Sequence, residues 1–180
     1  MSNELSALSQ QAIQQFWHNQ AAQSKRPVIL LTEVNTHEGG SLVAEIENRF
    51  VIWEAWGVVD AAVIASTCQS MITAAERAIR ASTKLSGFYD FTRVSEFAPS
   101  GRDEIIRLRE RLEGRLAPAR NAVVFGSTMT RIMYDMANLL KPTPYEERVF
   151  PNAEEALIWL QDPLNTPVLD IDGFSWVLKH

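Results

Sequence analysis

Phe50-Val51-Ile52-Trp53-Glu54-Ala55-Trp56-Gly57 is the stretch on which the reading of this chain turns. Its branched and aromatic residues suit a pleated, half-buried strand, which Gly57 is expected to end. Asp60 follows, with a side chain able to accept a hydrogen bond from the open amides of a helix. Ile64, Cys68, Met71, Ile72, Ala75 and Ile79 then recur at helical spacing and form one apolar stripe. A strand feeding a capped amphipathic helix is the front half of a strand-helix-strand crossover.

Upstream, Leu42 to Ile46 is a second run of strand character, separated from Phe50 by Glu47-Asn48-Arg49, which suits a hairpin turn. Val28 to Val34 is a further candidate strand, and Asn35-Thr36-His37-Glu38-Gly39-Gly40 reads as a turn-rich, mobile loop. Downstream, Leu85 to Phe91 is expected to be a buried strand. Arg102 to Leu116 is expected to be a helix with Ile105, Leu108, Leu112 and Leu116 facing inward. Asn121 to Gly126 is a short buried strand, and the next helix carries Met129, Ile132, Met133, Met136 and Leu140 before Pro142 and Pro144 stop it. Glu146 to Phe150 is a strand, and Asn152 with Glu155 caps a helix that buries Ala156, Leu157 and Leu160.

Repeated alternation of strand and helix implies crossover connections, whereas the opening hairpin is antiparallel. The expected fold class is therefore α/β, with a single mixed, partly parallel sheet of four to six strands covered by helices. Residues 1–27 form an N-terminal helical arm in this reading, because Leu5, Leu8, Ala12, Ile13, Phe16 and Trp17 line one side of a helix ahead of Pro27. Residues 28–161 form the domain, and residues 162–180, with the apolar run Phe174 to Leu178, form a tail packed on it. The arm's apolar stripe also suits a homodimer contact.

Composition narrows the function. With 46% apolar and 22% charged residues, the 180-residue chain has the balance of a soluble globular domain. No run approaches the length of a membrane span, and residues 1–23 lack the pattern of a secretory signal. A net charge of −5 speaks against a nucleic-acid binder, which needs a basic face. Cys68 is the only cysteine, and it stands in an apolar helical stripe, so a cytoplasmic setting is expected.

The order hairpin, Gly57, helix, strand ending at Asp90, helix, Ala122-Val123-Val124, helix, strand resembles the STAS family, and more narrowly its SpoIIAA-like branch. Arg148-Val149-Phe150-Pro151-Asn152-Ala153-Glu154-Glu155-Ala156-Leu157-Ile158-Trp159-Leu160 carries most of the likeness, which spans Leu42 to Gln161. Anti-sigma-factor antagonists of that family place a phosphorylatable serine in an Asp-Ser-Ser-Gly turn at the start of a helix. Ser100-Gly101 matches its second half, and Ala98-Pro99 stand where the family has aspartate and serine. The resemblance thus implies a possible phosphorylation switch at Ser100 and a partner surface on Asp90, Thr92, Arg93, Ser95, Gly101 and Arg102.

Read from the residues alone, Ser100 is a helix N-cap, with Asp103 in capping-box position. The arginines from Arg102 to Arg120 alternate with acids as on a salt-bridged surface, and the pairs Glu146-Glu147 and Glu154-Glu155 read as solvated faces and caps. Trp53 and Trp56 lie three apart in a strand and are expected to face opposite sides of the sheet. His18, His37 and His180 have no neighbour at ligand spacing, so no metal or other cofactor is expected. No nucleophile elbow, phosphate loop or paired carboxylate motif stands out either, so no catalytic residue is expected. Two functions fit: a non-catalytic regulatory module that binds an unidentified protein partner, or a small carrier or sensor for an apolar ligand such as a lipid.

Overall fold

The computed structural model describes residues 28–46, 50–112, 120–140 and 146–160. Their six strands form one sheet in sequence order: β1 (Val28–Asn35), β2 (Gly39–Ile46), β3 (Phe50–Val59), β4 (Ser86–Phe97), β5 (Arg120–Phe125) and β6 (Glu146–Phe150). The pairs from β1 to β3 are antiparallel and those from β3 to β6 parallel. Helices α1 (Ala61–Arg80), α2 (Pro99–Leu112), α3 (Thr128–Leu140) and α4 (Ala153–Leu160) follow β3, β4, β5 and β6 in turn. The mixed α/β sheet is thus the expected one. The N-terminal arm, the Glu47-Asn48-Arg49 turn, the stops at Pro142 and Pro144 and the C-terminal tail lie outside the described residues, as does any dimer contact through the arm.

Strand alternation sends neighbouring residues into two separate cores. Val43, Val51, Trp53, Ala55, Tyr89, Phe91 and Val123 pack with α1, α2 and α3 on one face. Ile46, Phe50, Ile52, Phe88, Ala122 and Val124 pack on the other against Ala153, Ala156, Leu157 and Leu160 of α4. Local chemistry starts the helices where the sequence places them. Asp60 Oδ1 accepts from the Val63 amide at 3.0 Å, and Asn152 Oδ1 accepts from the Glu155 amide at 2.9 Å. Asn152 Nδ2 also donates to Glu155 Oε1 at 2.9 Å, a side-chain contact in place of the backbone return bond of the expected reciprocal cap.

Several features of the elements differ from the sequence reading. The Asn35 to Gly40 segment, expected as a loop, is a tight connection whose ends already belong to β1 and β2. Thr36 donates through its amide to the Gly39 carbonyl at 2.7 Å and accepts from the Gly39 amide at 3.0 Å, and Gly39 and Gly40 already belong to β2. Gly57 does not end β3, which runs on to Val59. Its φ of +64°, a value that glycine adopts without a steric cost, absorbs a shift in the β3–β4 register. Strand β4 does not end at Phe91 either but continues to Phe97, paired with β3 as far as Val59 opposite Phe97. The sequence Thr92-Arg93-Val94-Ser95-Glu96-Phe97 conceals this, because its buried residues, Val94 and Phe97, fall three apart across the irregular register and not two.

A further difference concerns α3. Of the apolar residues that marked this helix in the sequence, Met129, Ile132 and Met136 are exposed, as is Leu139, and the buried side is Thr130 and Tyr134. Tyr134 sets this rotation. Its ring touches Phe91, Phe97 and Phe125 at centroid distances of 5.2 to 6.3 Å, and its hydroxyl donates to Glu147 Oε2 at 3.1 Å. The Glu147 side chain is buried and not solvated. So is Arg109, read from sequence as surface; its side chain is 2% exposed, 3.8 Å from Glu147 Oε1 and stacked over Tyr134 at 5.2 Å. A buried ion pair is costly to form and more costly to halve, since removing one partner strands the other charge. Arg109→Leu is therefore expected to lower stability by about 3–5 kcal/mol, read from urea unfolding. A loss below about 1 kcal/mol, in the range of exposed pairs, would show that Glu147, whose carboxyl pKa is already raised by burial, takes up a proton or reaches water instead of remaining a buried charge.

Candidate functional site

Strand β4 from Asp90 onward and the first turn of α2 contain every site residue expected from the sequence, but they do not form one turn. Asp90, Thr92, Arg93 and Ser95 belong to β4, whereas Ser100, Gly101 and Arg102 belong to α2. Seven steps of strand lead from Asp90 to Phe97, about 23 Å.

The first group lies on the face of the sheet that α4 covers farther down. Asp90 is buried and accepts from the amide of Thr92 at 2.9 Å and from its hydroxyl at 2.6 Å. In the parallel register it stands opposite Glu54, which is also buried. Arg93 donates to Glu54 Oε1 and lies 5.3 Å from the centre of the Trp56 ring. Burial lifts the Glu54 carboxyl above its ordinary range; Arg93 works against this and Asp90 adds to it. Arg93 thus locks the end of β3 to the irregular stretch of β4 and shields a carboxylate that would otherwise be buried alone. Sequence reading missed Glu54 and Trp56 as parts of this group. The available signal was a single acid inside an otherwise apolar strand. Trp53 and Trp56 do divide as expected: Trp53 is buried in the three-helix core, while Trp56 is half-buried beneath Arg93.

The second group is built by the junction of β4 and α2. The Ala98 amide donates to the Val59 carbonyl at 3.0 Å, and the Ala98 carbonyl accepts from Arg102 at 3.1 Å. Ala98 is therefore the residue that caps α2, Pro99 takes the first helical position, where its missing N–H costs nothing, and Ser100 is the second residue of the helix. This replaces the expected N-cap role of Ser100. Asp103 is not a capping-box partner either, since it pairs with Arg102 at 3.3 Å. Ser100 is exposed, while Gly101 is buried against the end of β3, where a Cβ would collide with the Val59 carbonyl oxygen. The Ser-Gly pair thus has a geometric reason: the glycine allows the close approach, and the serine is presented to solvent.

Other candidate chemistry is weakly supplied. Among the described residues no three His, Cys, Asp or Glu side chains are placed to hold a metal ion, and no helix is long and apolar enough to cross a membrane. Cys68 is buried, its Sγ 3.9 Å from the Glu104 carbonyl. Burial, aided by the charge of Glu104, pushes its thiol up to about 12, so little thiolate forms near neutral pH.

No family model and no curated protein matches the chain. Solved structures to which the chain is similar include these two. One is an uncharacterized protein of the DUF3478 family with a SpoIIAA-like fold from Shewanella loihica PV-4: 14% identity, TM-score 0.46, covering 76% of this chain and 96% of that one. The other is the anti-sigma factor antagonist SpoIIAA in its unphosphorylated form: 16% identity, TM-score 0.49, covering 67% of this chain and 96% of that one. The likeness to both is one of fold alone.

The raised carboxyl of Glu54 yields a pH prediction. A carboxyl whose folded pKa exceeds its unfolded value holds more protons in the folded state, so stability is full below about 4.5 and declines as pH rises through the folded pKa. Glu54→Gln does not titrate. Its urea midpoint is expected to gain on that of the unsubstituted protein as pH rises from 4.5 toward neutrality; a gap that widens instead would mean that Arg93 outweighs burial.

Proposed function

We propose that this chain is a cytoplasmic, non-catalytic regulatory module that binds a protein partner through the first turn of α2 and the exposed residues of β4 leading to it, with Ser100 as a phosphorylation switch. The observation that carries this reading is the exposure of Ser100 at the second position of α2, directly before a glycine seated on the end of β3. Amides of a helix's first turn lack partners within the helix and carry the positive end of its dipole, so a phosphate on this hydroxyl would be held locally. Arg102 stands beside it and would be drawn from Asp103 toward the new charge. Thr92, Arg93 and Ser95 are exposed on the strand that leads into α2.

The apolar-carrier reading gains no comparable support. Trp53, Tyr89, Phe91, Phe97, Phe125 and Tyr134 fill the space between the sheet and its three-helix face, in ring contact at 4.8 to 6.3 Å.

Two measurements test the switch. Mass spectrometry of protein from its native cells is expected to find phosphate on the peptide that holds Ser100. Ser100→Asp is expected to weaken binding to the native partner by about tenfold relative to Ser100→Ala, the effect of roughly one charge-assisted contact. Equal binding by the two variants, with no phosphate on that peptide, would reject the switch. Lipid that co-purifies from several hosts would instead favour the carrier.

A further inference from the structure

We propose that α3 is a self-association surface on which a second copy of this chain lays its own α3, antiparallel and related by a twofold axis. Six large apolar side chains are exposed among the described residues, and four of them fall on this one helix: Met129 at 67%, Ile132 at 47%, Met136 at 42% and Leu139 at 84%. Their spacing of three, four and three places them in a single stripe. The stripe cannot turn inward, because the opposite side is fixed by Tyr134 in its ring cluster and by its hydroxyl on Glu147.

A second copy fits this stripe by its own symmetry. The four residues are symmetric about position 134, so in an antiparallel pair Met129 of one copy faces Leu139 of the other, and Ile132 faces Met136. Charge fits as well. Arg131 and Asp135 are the only charged residues on α3 and pair at 3.6 Å within one copy. In the pair, Arg131 of one copy lies about 3 Å along the axis from the level of the other's Asp135, so two arginines and two aspartates form a neutral cluster. A chain of net charge −5 can therefore meet itself here without local repulsion. An anionic lipid surface is a poorer match, since it is recognised by an excess of cations beside the apolar stripe.

Sedimentation of the full chain from low micromolar to near-millimolar concentration tests the proposal. The unsubstituted protein is expected to approach the mass of a dimer. Ile132→Glu and Met136→Lys are each expected to raise the dimer dissociation constant by at least about tenfold, while circular dichroism stays unchanged because both sites are exposed. An equimolar mixture of the two variants should recover the dimer, because the acid at position 132 then faces the amine at position 136. A monomer at every concentration, or a mixture that fails to recover, would overturn the proposal. So would dimers unaffected by either substitution, including any that are lost only on removal of residues 1–27.

Discussion

The buried contact between Arg109 of α2, Tyr134 of α3 and Glu147 of β6 orients much of the three-helix face. A carboxylate beneath a helix must be matched by a donor and a cation, and each match dictates where an element can sit. Meeting Glu147 requires Tyr134 to face inward, and the ring brought with it joins Phe91, Phe97 and Phe125. The apolar residues of α3 are then left on the outer side. An acid in the sheet thus decides which surface the protein shows to its surroundings, and solvent exposure on α3 follows from electrostatics rather than from a lack of apolar residues.

This causal order also explains what could and could not be read in advance. Strand-helix alternation was legible because apolar periodicity and capping residues are local signals: Asp60 and Asn152 start α1 and α4 as expected, and Ala122-Val123-Val124 lies in a buried strand. The rotation of α3 was not legible, because periodicity reports which residues of a helix share a side but not which side faces in. Here a tyrosine with one polar partner outweighs a stripe of methionine, isoleucine and leucine. Arg109 and Glu147 were misread for the same reason. In sequence each sits among charged neighbours, and only the packing of α2, α3 and β6 brings them together.

The region around Ser100 shows a mixed outcome. The serine and its glycine do begin a helix, and of the positions named around them Thr92, Arg93 and Ser95 are exposed, whereas Asp90 and Gly101 are buried and not part of a surface. Their arrangement differs, however, because β4 continues past the register irregularity at Gly57 and carries Asp90 away from α2. Asp90, Thr92 and Arg93 become a structural group with Glu54 and Trp56, whereas Ser100 stands on a separate corner held by the Ala98 to Val59 hydrogen bond. Long-range strand pairing of this kind leaves no mark at short sequence range.

The division of the protein into two cores has a consequence for how such a chain can change over time. Trp53 and Glu54 are neighbours in sequence, yet one serves the three-helix core and the other lies across the sheet with Arg93. Substitutions on opposite faces share a backbone but few side-chain contacts, so their costs should combine almost independently. The face under α4 can drift to a new set of residues without disturbing the rings beneath α2 and α3, and the reverse holds too. Lineages of this chain could therefore diverge widely in overall composition while the surface presented by α2 and α3 is kept by selection on one layer alone.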